Sequence, residues 1–249
     1  MLEPKFQERI LNDSDICTFF KDFELNKEEK VYLEYHSTRI AYFVNLTAKF
    51  AKVLSSQTNT KLKVLDIGPH FLTSSLRQYF GDSIILNTLG WTNPLAPSSI
   101  IDNHFEFDLN NTQDPQKWLV PEPHDIIVMG EVIEHLYTSP ELVLSFIKTF
   151  LVPGGFLIIG TPNAVSIDKR LSMFNGKNPY EKIRKDNTNP GHFREYTADE
   201  LEKIGQQIGL KAESIEYKDF SQANRKIHLL KNINPAFKDY LSAVFLFPN

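Results

Sequence analysis

One stretch of this chain, residues 125–163, constrains the fold more than any other, because it predicts a strand, a helix and a second strand. Asp125 to Gly130 is a short apolar run, typical of a strand buried on both faces of a parallel sheet. Ser139-Pro140 predicts a helix start, since proline is favoured at the first helical position. Pro153-Gly154-Gly155 predicts a turn into the second strand, Phe156–Gly160. Such crossovers build parallel sheets, in which ligands bind at the carboxyl ends of the strands.

Two loops follow the carboxyl ends of these predicted strands and carry polar side chains. The first, residues 131–135, reads Glu-Val-Ile-Glu-His, and the second is Thr161-Pro162-Asn163. A long polar connection, residues 163–196, leaves the second strand. Connections of this length inside a compact domain are usually functional or mobile. We therefore predict the reacting groups on these loops, and in 163–196 an insertion that covers the substrate.

Further segments predict a mostly parallel seven-strand sheet behind a helical N-terminal part. Apolar residues on one helical face predict a long amphipathic helix over Lys30–Leu54. Thr197 to Glu200 is a capping-box pattern that opens the last predicted helix, whereas Asn224–Phe237 is predicted to be irregular. We divide the chain into a helical cover, residues 1–60, and an α/β domain, residues 61–249. The remaining strands are predicted at Lys63–Gly68, Ser83–Leu89, His104–Asn110, Leu210–Phe220 and Asp239–Phe247.

Length, charge and cysteine content limit the class of protein. With 249 residues and 41% hydrophobic content, the chain can bury the core of one α/β domain with additions. The net charge of −4 argues against a broad phosphate-binding surface, which disfavours nucleic acid as the main partner. A single cysteine, Cys17, excludes an internal disulfide and suits a reducing compartment. Neither a secretory leader nor a membrane span is predicted, and we expect a cytoplasmic protein.

Four motifs resemble those of one enzyme family in their order and separation. They are Val64 to Gly68, residues 125–136, residues 151–163 and residues 191–197. Together they resemble the class I S-adenosylmethionine-dependent methyltransferases over roughly residues 61 to 220. The resemblance implies a Rossmann-like three-layer sandwich and S-adenosylmethionine as the cofactor. A dinucleotide enzyme fits poorly, because the first loop lacks the Gly-x-Gly-x-x-Gly pattern that binds a pyrophosphate.

The resemblance also implies which residues bind the cofactor. Glycine at position 68 lets the backbone approach the methionine part closely. Asp66 is placed to bind the ammonium group, and Asp108 to accept a hydrogen bond from the adenine amino group. The residues predicted to bind the cofactor are Asp66, Gly68, Asn87, Asp108, Leu109 and Glu131.

Two departures from the family pattern affect this predicted site. His70 stands where the family's first loop has a second glycine. The second strand lacks the usual acid for the ribose hydroxyls, which leaves Asn87 as a weaker acceptor. A non-catalytic relative that acts as a binding protein is therefore an alternative.

Two histidines are the candidates for proton transfer. Methyl transfer is an in-line displacement, and a hydroxyl acceptor must also lose a proton. Histidine is the natural base near neutral pH. His135 and His192 both lie on loops that follow strands of the predicted sheet.

The same loops carry a pattern that suits a divalent metal. Glu131, Glu134 and His135 have the spacing of one helical face, and His192 can join them from another loop. This set is similar to the metal site of the small-RNA 3′-terminal 2′-O-methyltransferases, which implies Mg or Mn. The alternative is that Glu134 and His135 only form hydrogen bonds beside the cofactor.

The function predicted from these features is O-methylation of a small-molecule hydroxyl. The stretch from residue 161 to residue 196 resembles methyltransferases of sugar and glycan biosynthesis, so a sugar or glycan precursor is the expected acceptor. The alternatives are a metal-dependent RNA 3′-terminal 2′-O-methyltransferase and the binding protein. The sequence does not indicate an oligomeric state.

Overall fold

The computed structural model describes residues 9–58, 60–186, 190–221 and 225–249, and it contains a seven-strand sheet. The strands are β1 (Leu62–Ile67), β2 (Ile84–Gly90), β3 (Asn103–Glu106), β4 (His124–Gly130), β5 (Leu151–Pro162), β6 (Lys211–Lys218) and β7 (Tyr240–Leu246). Their order across the sheet is β3-β2-β1-β4-β5-β7-β6. Strand β7 is antiparallel to β5 and β6, whereas β1, β2 and β3 are parallel. The predicted mostly parallel Rossmann-like fold is confirmed.

Seven α-helices are found among the described residues. They are α1 (Asp13–Phe19), α2 (Lys27–Ser55), α3 (Phe71–Phe80), α4 (Pro140–Thr149), α5 (Ile167–Phe174), α6 (Ala198–Gln207) and α7 (Arg225–Ile233). In the part of the chain that the structure describes, none of the helices is long and apolar enough to cross a membrane.

The chain divides into two compact units. The N-terminal unit comprises the described residues up to Asp108 together with Glu122–Val128. The C-terminal unit comprises Leu109–Pro121 and Met129–Asn249.

Helix α2 dominates the helical part of the N-terminal unit. Asn26 caps its start, because the Asn26 side chain accepts from Glu29 N–H at 2.9 Å while the Glu29 carboxylate accepts from Asn26 N–H at 2.7 Å. The buried stripe of α2 includes Phe43, Val44 and Phe50, and the helix contacts α1, α3 and β1. The amphipathic helix predicted over residues 30–54 is confirmed.

Strand β5 of the C-terminal unit differs from the prediction. The predicted turn at Pro153-Gly154-Gly155 lies inside the strand, which begins at Leu151 directly after α4. Gly154 has a φ of +81°, and its N–H donates to the carbonyl of Phe247 at 2.7 Å. Phe247 N–H donates in turn to the carbonyl of Gly155 at 3.0 Å. Pairing with the end of the chain therefore extends β5 through the glycines, which the local sequence could not indicate.

Three other segments also differ from the prediction. The predicted strand His104–Asn110 is shorter, since β3 ends at Glu106 and a 3₁₀ turn follows over Leu109–Gln113. The segment predicted to be irregular contains helix α7, and the connection 163–196 contains helix α5.

Lys231 anchors α7, because its buried ammonium donates to the Asp219 carboxylate at 2.8 Å and to the Ser221 hydroxyl at 2.6 Å.

The contact between α6 and β7 generates a prediction about stability. A Cβ on Gly205 would clash with Cε1 of the fully buried Phe245 ring and would lie 2.7 Å from Cδ1 of the same ring. Alanine is worth up to about 1 kcal/mol more than glycine inside a helix, but overpacking costs about 1–3 kcal/mol. We expect Gly205→Ala to lower the free energy of unfolding in urea by about 1 kcal/mol or more. Gln206→Ala, at an exposed position of the same helix, serves as the control, and an unchanged Gly205→Ala would contradict this packing.

Candidate functional site

The carboxyl end of β1 carries a buried acid in the N-terminal unit. Asp66 is 1% exposed, and its carboxylate accepts a hydrogen bond from the Thr73 hydroxyl at 2.6 Å. The same hydroxyl accepts from the backbone N–H of His70 at 3.0 Å, which ties the loop after β1 to the start of α3. Burial raises the pKa of Asp66 to about 7, although the Thr73 hydrogen bond opposes this shift. Asp66 is therefore poised to ionise near neutral pH.

The loop after β1 packs against the end of β2. Gly68 has a φ of +77°, and its N–H donates to the carbonyl of Leu89 at 2.9 Å. A Cβ on Gly90, the last residue of β2, would lie 3.5 Å from Gly68 N. Strand β2 thus ends in a glycine and not in the usual acid. This glycine packs against the backbone of the first loop.

The structure does not bring Asn87 together with Asp66. Asn87 lies in the middle of β2, in register with Leu65, whereas Asp66 is in register with Thr88. Because side chains alternate between the faces of a strand, Asn87 and Asp66 point to opposite faces. The Asn87 Nδ2 atom is 3.0 Å from His124 Nε2, and both residues are buried. This placement argues against the predicted contact between Asn87 and the ribose, because the residue lies three positions before the strand ends.

Helix α2 covers the loop after β1 with aromatic and basic side chains. The Tyr32 ring lies 5.1 Å from the His70 ring and 4.2 Å from the His36 ring. Burial, followed by the charge of Arg39, lowers the pKa of His36 to about 3. Burial is also the main cause that lowers the pKa of His70 to about 4. His70, which replaces the expected glycine, is therefore a neutral ring packed against α2.

Asp108 and Leu109 follow the end of β3. Asp108 is half-buried, and Leu109 is buried at the start of the 3₁₀ turn. This position beyond a strand's carboxyl end agrees with the one predicted for the adenine contact, whose hydrogen bond stays a prediction.

The loop after β4 in the C-terminal unit begins with a strained residue. Glu131 has a φ of +58°, and no other described residue except glycine has a positive φ. Its N–H donates to the carbonyl of Gly160 in β5 at 2.9 Å. Such a conformation costs roughly 1–3 kcal/mol in a residue other than glycine, and residues of this kind cluster at functional sites.

Three of the four predicted metal ligands come together in the C-terminal unit. One ligand atom from each of Glu134, His135 and His192 lies within 4.8 Å of the other two. Within the described residues, Glu131 does not belong to this group. The Glu134 side chain is fully buried and accepts from the Thr161 hydroxyl at 3.0 Å. The Glu134 carbonyl accepts from Phe193 N–H at 2.8 Å, which joins the two loops.

Hydrogen bonds fix the tautomers of both histidines. His135 Nδ1 lies 3.0 Å from the carbonyl of Gly191, and His192 Nδ1 lies 3.1 Å from Glu195 Oε1. Carbonyl and carboxylate oxygens only accept, so each Nδ1 carries a proton, and Nε2 presents a lone pair whenever the ring is neutral. The rings lie edge to face at 4.8 Å. Burial and then His135 lower the pKa of His192 to about 4, so its ring is neutral near pH 7.

Two residues that the sequence analysis missed support His192. Glu195, three residues after His192 in the sequence, also pairs with the ammonium of Lys169 on α5. Lys169 donates further to the carbonyl of Asn163 at 3.0 Å, and burial lowers its pKa to about 8. The spacing of Glu195 from His192 was a usable signal. Lys169 gave none, because it lies 26 residues from Glu195 on a helix that was not predicted.

Comparison with known proteins gives a family match by sequence. A family model described as a methyltransferase domain matches residues 35–215. No curated protein matches the sequence at a significant level.

Solved structures share the fold at low sequence identity. The plantazolicin methyltransferase BamL, in complex with a triazolic desmethylPZN analog and S-adenosylhomocysteine, is 14% identical with a TM-score of 0.55, over 95% of this chain and 97% of that one. A putative sarcosine dimethylglycine methyltransferase from Galdieria sulphuraria is 12% identical with a TM-score of 0.52, over 87% and 88% of the two chains. The Burkholderia thailandensis 1,6-didemethyltoxoflavin-N1-methyltransferase, which has S-adenosylhomocysteine bound, is 11% identical with a TM-score of 0.50, over 97% and 92%.

The raised pKa of Asp66 generates a prediction for the protein without ligands. The folded-state pKa of about 7 exceeds the ordinary 3.8, so folding favours the protonated form and the free energy of unfolding falls as pH rises between these values. We expect Asp66→Asn to be more stable than the unaltered protein at pH 8, by up to a few kcal/mol, and about equally stable near pH 4.

Urea unfolding at several pH values measures this difference. Asp82→Asn is the matched control, because the Asp82 side chain is fully exposed and its removal should not change the pH dependence. A constant difference between Asp66→Asn and the unaltered protein from pH 4 to pH 8 would show that Asp66 ionises normally.

Proposed function

We propose that this chain O-methylates a small-molecule hydroxyl. It belongs to the methyltransferase-domain family and is an S-adenosylmethionine-dependent methyltransferase. The observation that carries this proposal is the neutral His192 ring, whose Nδ1 is bonded to Glu195 and whose Nε2 presents a lone pair. This arrangement can take a proton from a hydroxyl group. The acceptor that we propose is a sugar or another glycan precursor.

The residues at the end of β1 fit the cofactor. S-adenosylmethionine supplies an electrophilic methyl group on a sulfonium, and it also carries an ammonium group. A buried carboxyl with a raised pKa is stabilised in its ionised form by a nearby cation, which suits Asp66 as the partner of that ammonium. Gly68 leaves room for the methionine part, and we propose Asp108 and Leu109 for the adenine. Glu131 completes the proposed set in the C-terminal unit.

The chain His192–Glu195–Lys169 supports base catalysis by His192. When Nε2 accepts the hydroxyl proton, the ring becomes cationic, and the Glu195 carboxylate at Nδ1 stabilises that charge. Lys169 holds Glu195 in place through their ion pair. A base with a pKa near 4 is weak, but it is almost entirely in its active, neutral form at pH 7. His135 lies beside His192 and raises the cost of its protonation.

The net charge of −4 supports a small-molecule acceptor over a nucleic acid. The single cysteine accords with a reducing, cytoplasmic location, which is part of the proposal.

Methyl transfer from labelled S-adenosylmethionine to a panel of sugar nucleotides tests the proposal, with matched amines as alternative acceptors. We expect transfer to a hydroxyl, and a turnover at least about 100-fold lower for His192→Ala. S-adenosylhomocysteine binding, measured by calorimetry, should be nearly unchanged in that variant. Glu195→Gln should lower turnover less, because Nδ1 keeps a hydrogen-bond partner.

The pH profile separates this base from an ordinary histidine. Activity that depends on neutral His192 should persist down to about pH 5, since the ring is protonated only near pH 4. Transfer only to amines, or full turnover by His192→Ala, would contradict the assignment of His192 as the base.

The cluster of Glu134, His135 and His192 favours a second candidate, a metal-dependent 2′-O-methyltransferase that acts on an RNA 3′ end. Two imidazole nitrogens and one carboxylate suit Mn²⁺ better than Mg²⁺. The Nδ1 hydrogen bonds to Gly191 and Glu195 are those that orient metal-binding histidines. An ion at this site would bind acceptor hydroxyls, and His192 would then be a ligand instead of the base.

Calorimetric titration of Mn²⁺ into chelator-treated protein distinguishes the two candidates. The metal-dependent candidate predicts binding that weakens at least about tenfold in Glu134→Gln and in His135→Gln, with Glu202→Gln as the exposed control. Retained turnover after chelation, together with no RNA binding, would eliminate it. Activity restored by Mn²⁺ would instead eliminate the role of His192 as a free base.

A further inference from the structure

Exposed apolar side chains concentrate on two neighbouring segments of the C-terminal unit. The first segment, residues 167–185, contains α5 and the connection after it, and the second, residues 225–238, contains α7. Phe174 at the end of α5 is 88% exposed, and Ile233 at the end of α7 is 75% exposed. Leu171, Met173, Ile183 and Leu229 are also exposed. Single exposed apolar residues are ordinary, whereas contiguous groups of them mark interaction surfaces.

The two segments contact each other, and we name their exposed side chains the α5–α7 surface. Helix α5 contacts α7, where Lys231 Nζ lies 3.7 Å from the Asp168 carboxylate of α5. The Arg170 guanidinium of α5 also lies 5.6 Å from the ring of Phe237, which follows α7. Leu229 and Ile233 are four residues apart and therefore share one face of α7. That face is distinct from the one that buries Lys231.

The two segments are basic in sequence, whereas the rest of the chain is acidic. The two segments contain ten Lys or Arg and two Asp or Glu, whereas the rest of the chain contains 17 Lys or Arg and 29 Asp or Glu. Five of these cations are exposed beside the apolar residues of the first segment, namely Arg170, Lys177, Lys182, Arg184 and Lys185. A basic, apolar surface on an acidic protein calls for a partner that is both anionic and apolar.

We propose that the α5–α7 surface binds the interface of an anionic lipid bilayer. Apolar side chains such as Phe174 and Ile233 would enter the boundary between headgroups and acyl chains, while the Lys and Arg side chains bind lipid phosphates. This mode lays helices on the membrane, and it needs no helix that spans one. The proposal is independent of the acceptor that the enzyme methylates.

Co-sedimentation of the full chain with vesicles tests this surface. We expect binding to vesicles that contain phosphatidylglycerol and phosphatidylcholine, little binding to pure phosphatidylcholine, and loss of binding as salt is raised. Phe174→Ser and Ile233→Ser should each weaken binding about tenfold, because each removes a side chain that the bilayer would bury. Val120→Ser is the matched control, since Val120 is 89% exposed and lies outside both segments.

Two further measurements keep the test decisive. Lys177→Glu with Lys185→Glu should also abolish binding to anionic vesicles, and circular dichroism should show that all variants are folded. Absence of binding by the unaltered protein, or equal binding by all the variants, would overturn the proposal. If the variants bound vesicles normally but bound the acceptor more weakly, the proposal would also be overturned, and the surface would be assigned to acceptor binding.

Discussion

Each of the two units contains one buried carboxyl group that constrains the candidate residues around it. Asp66 follows the apolar part of β1, Glu134 follows β4, and both side chains are inaccessible to solvent. Burying a carboxylate costs several kcal/mol unless hydrogen bonds or a cation compensate. Each of these groups accepts from one threonine hydroxyl, Thr73 and Thr161 respectively. For Asp66, one hydroxyl offsets only part of this cost, so this acid is prepared for a positively charged or proton-donating ligand.

The surroundings of His192 also combine partial burial with compensating hydrogen bonds and ion pairs. The His192 ring is neutral near pH 7 and partly buried beside the His135 ring, and its Nδ1 faces Glu195, which pairs with Lys169. Glu195 pairs with Lys169, and it would also stabilise the proton that catalysis adds to the His192 ring. The arrangement serves a base or a metal ligand equally well on geometric grounds, because both require an Nε2 lone pair.

Helices α5 and α7 connect this chemistry to the surface of the C-terminal unit. Helix α5 supplies Lys169 to the site, and its end supplies Phe174 to the α5–α7 surface. Helix α7 is attached through Lys231, whose buried ammonium has Asp219 and Ser221 as partners. Helix α5 is therefore common to the α5–α7 surface and to the surroundings of His192.

The sequence by itself determined the sheet, the long helix and the family, because their signals are local. Apolar runs, a capping pattern at Thr197 and glycine at position 68 each act within a few residues. Tertiary structure alone decided that Gly154 continues β5, that Asn87 turns away from Asp66, and that Lys169 reaches Glu195. These features depend on strand register, and on contacts between residues distant in the chain, which no local pattern encodes.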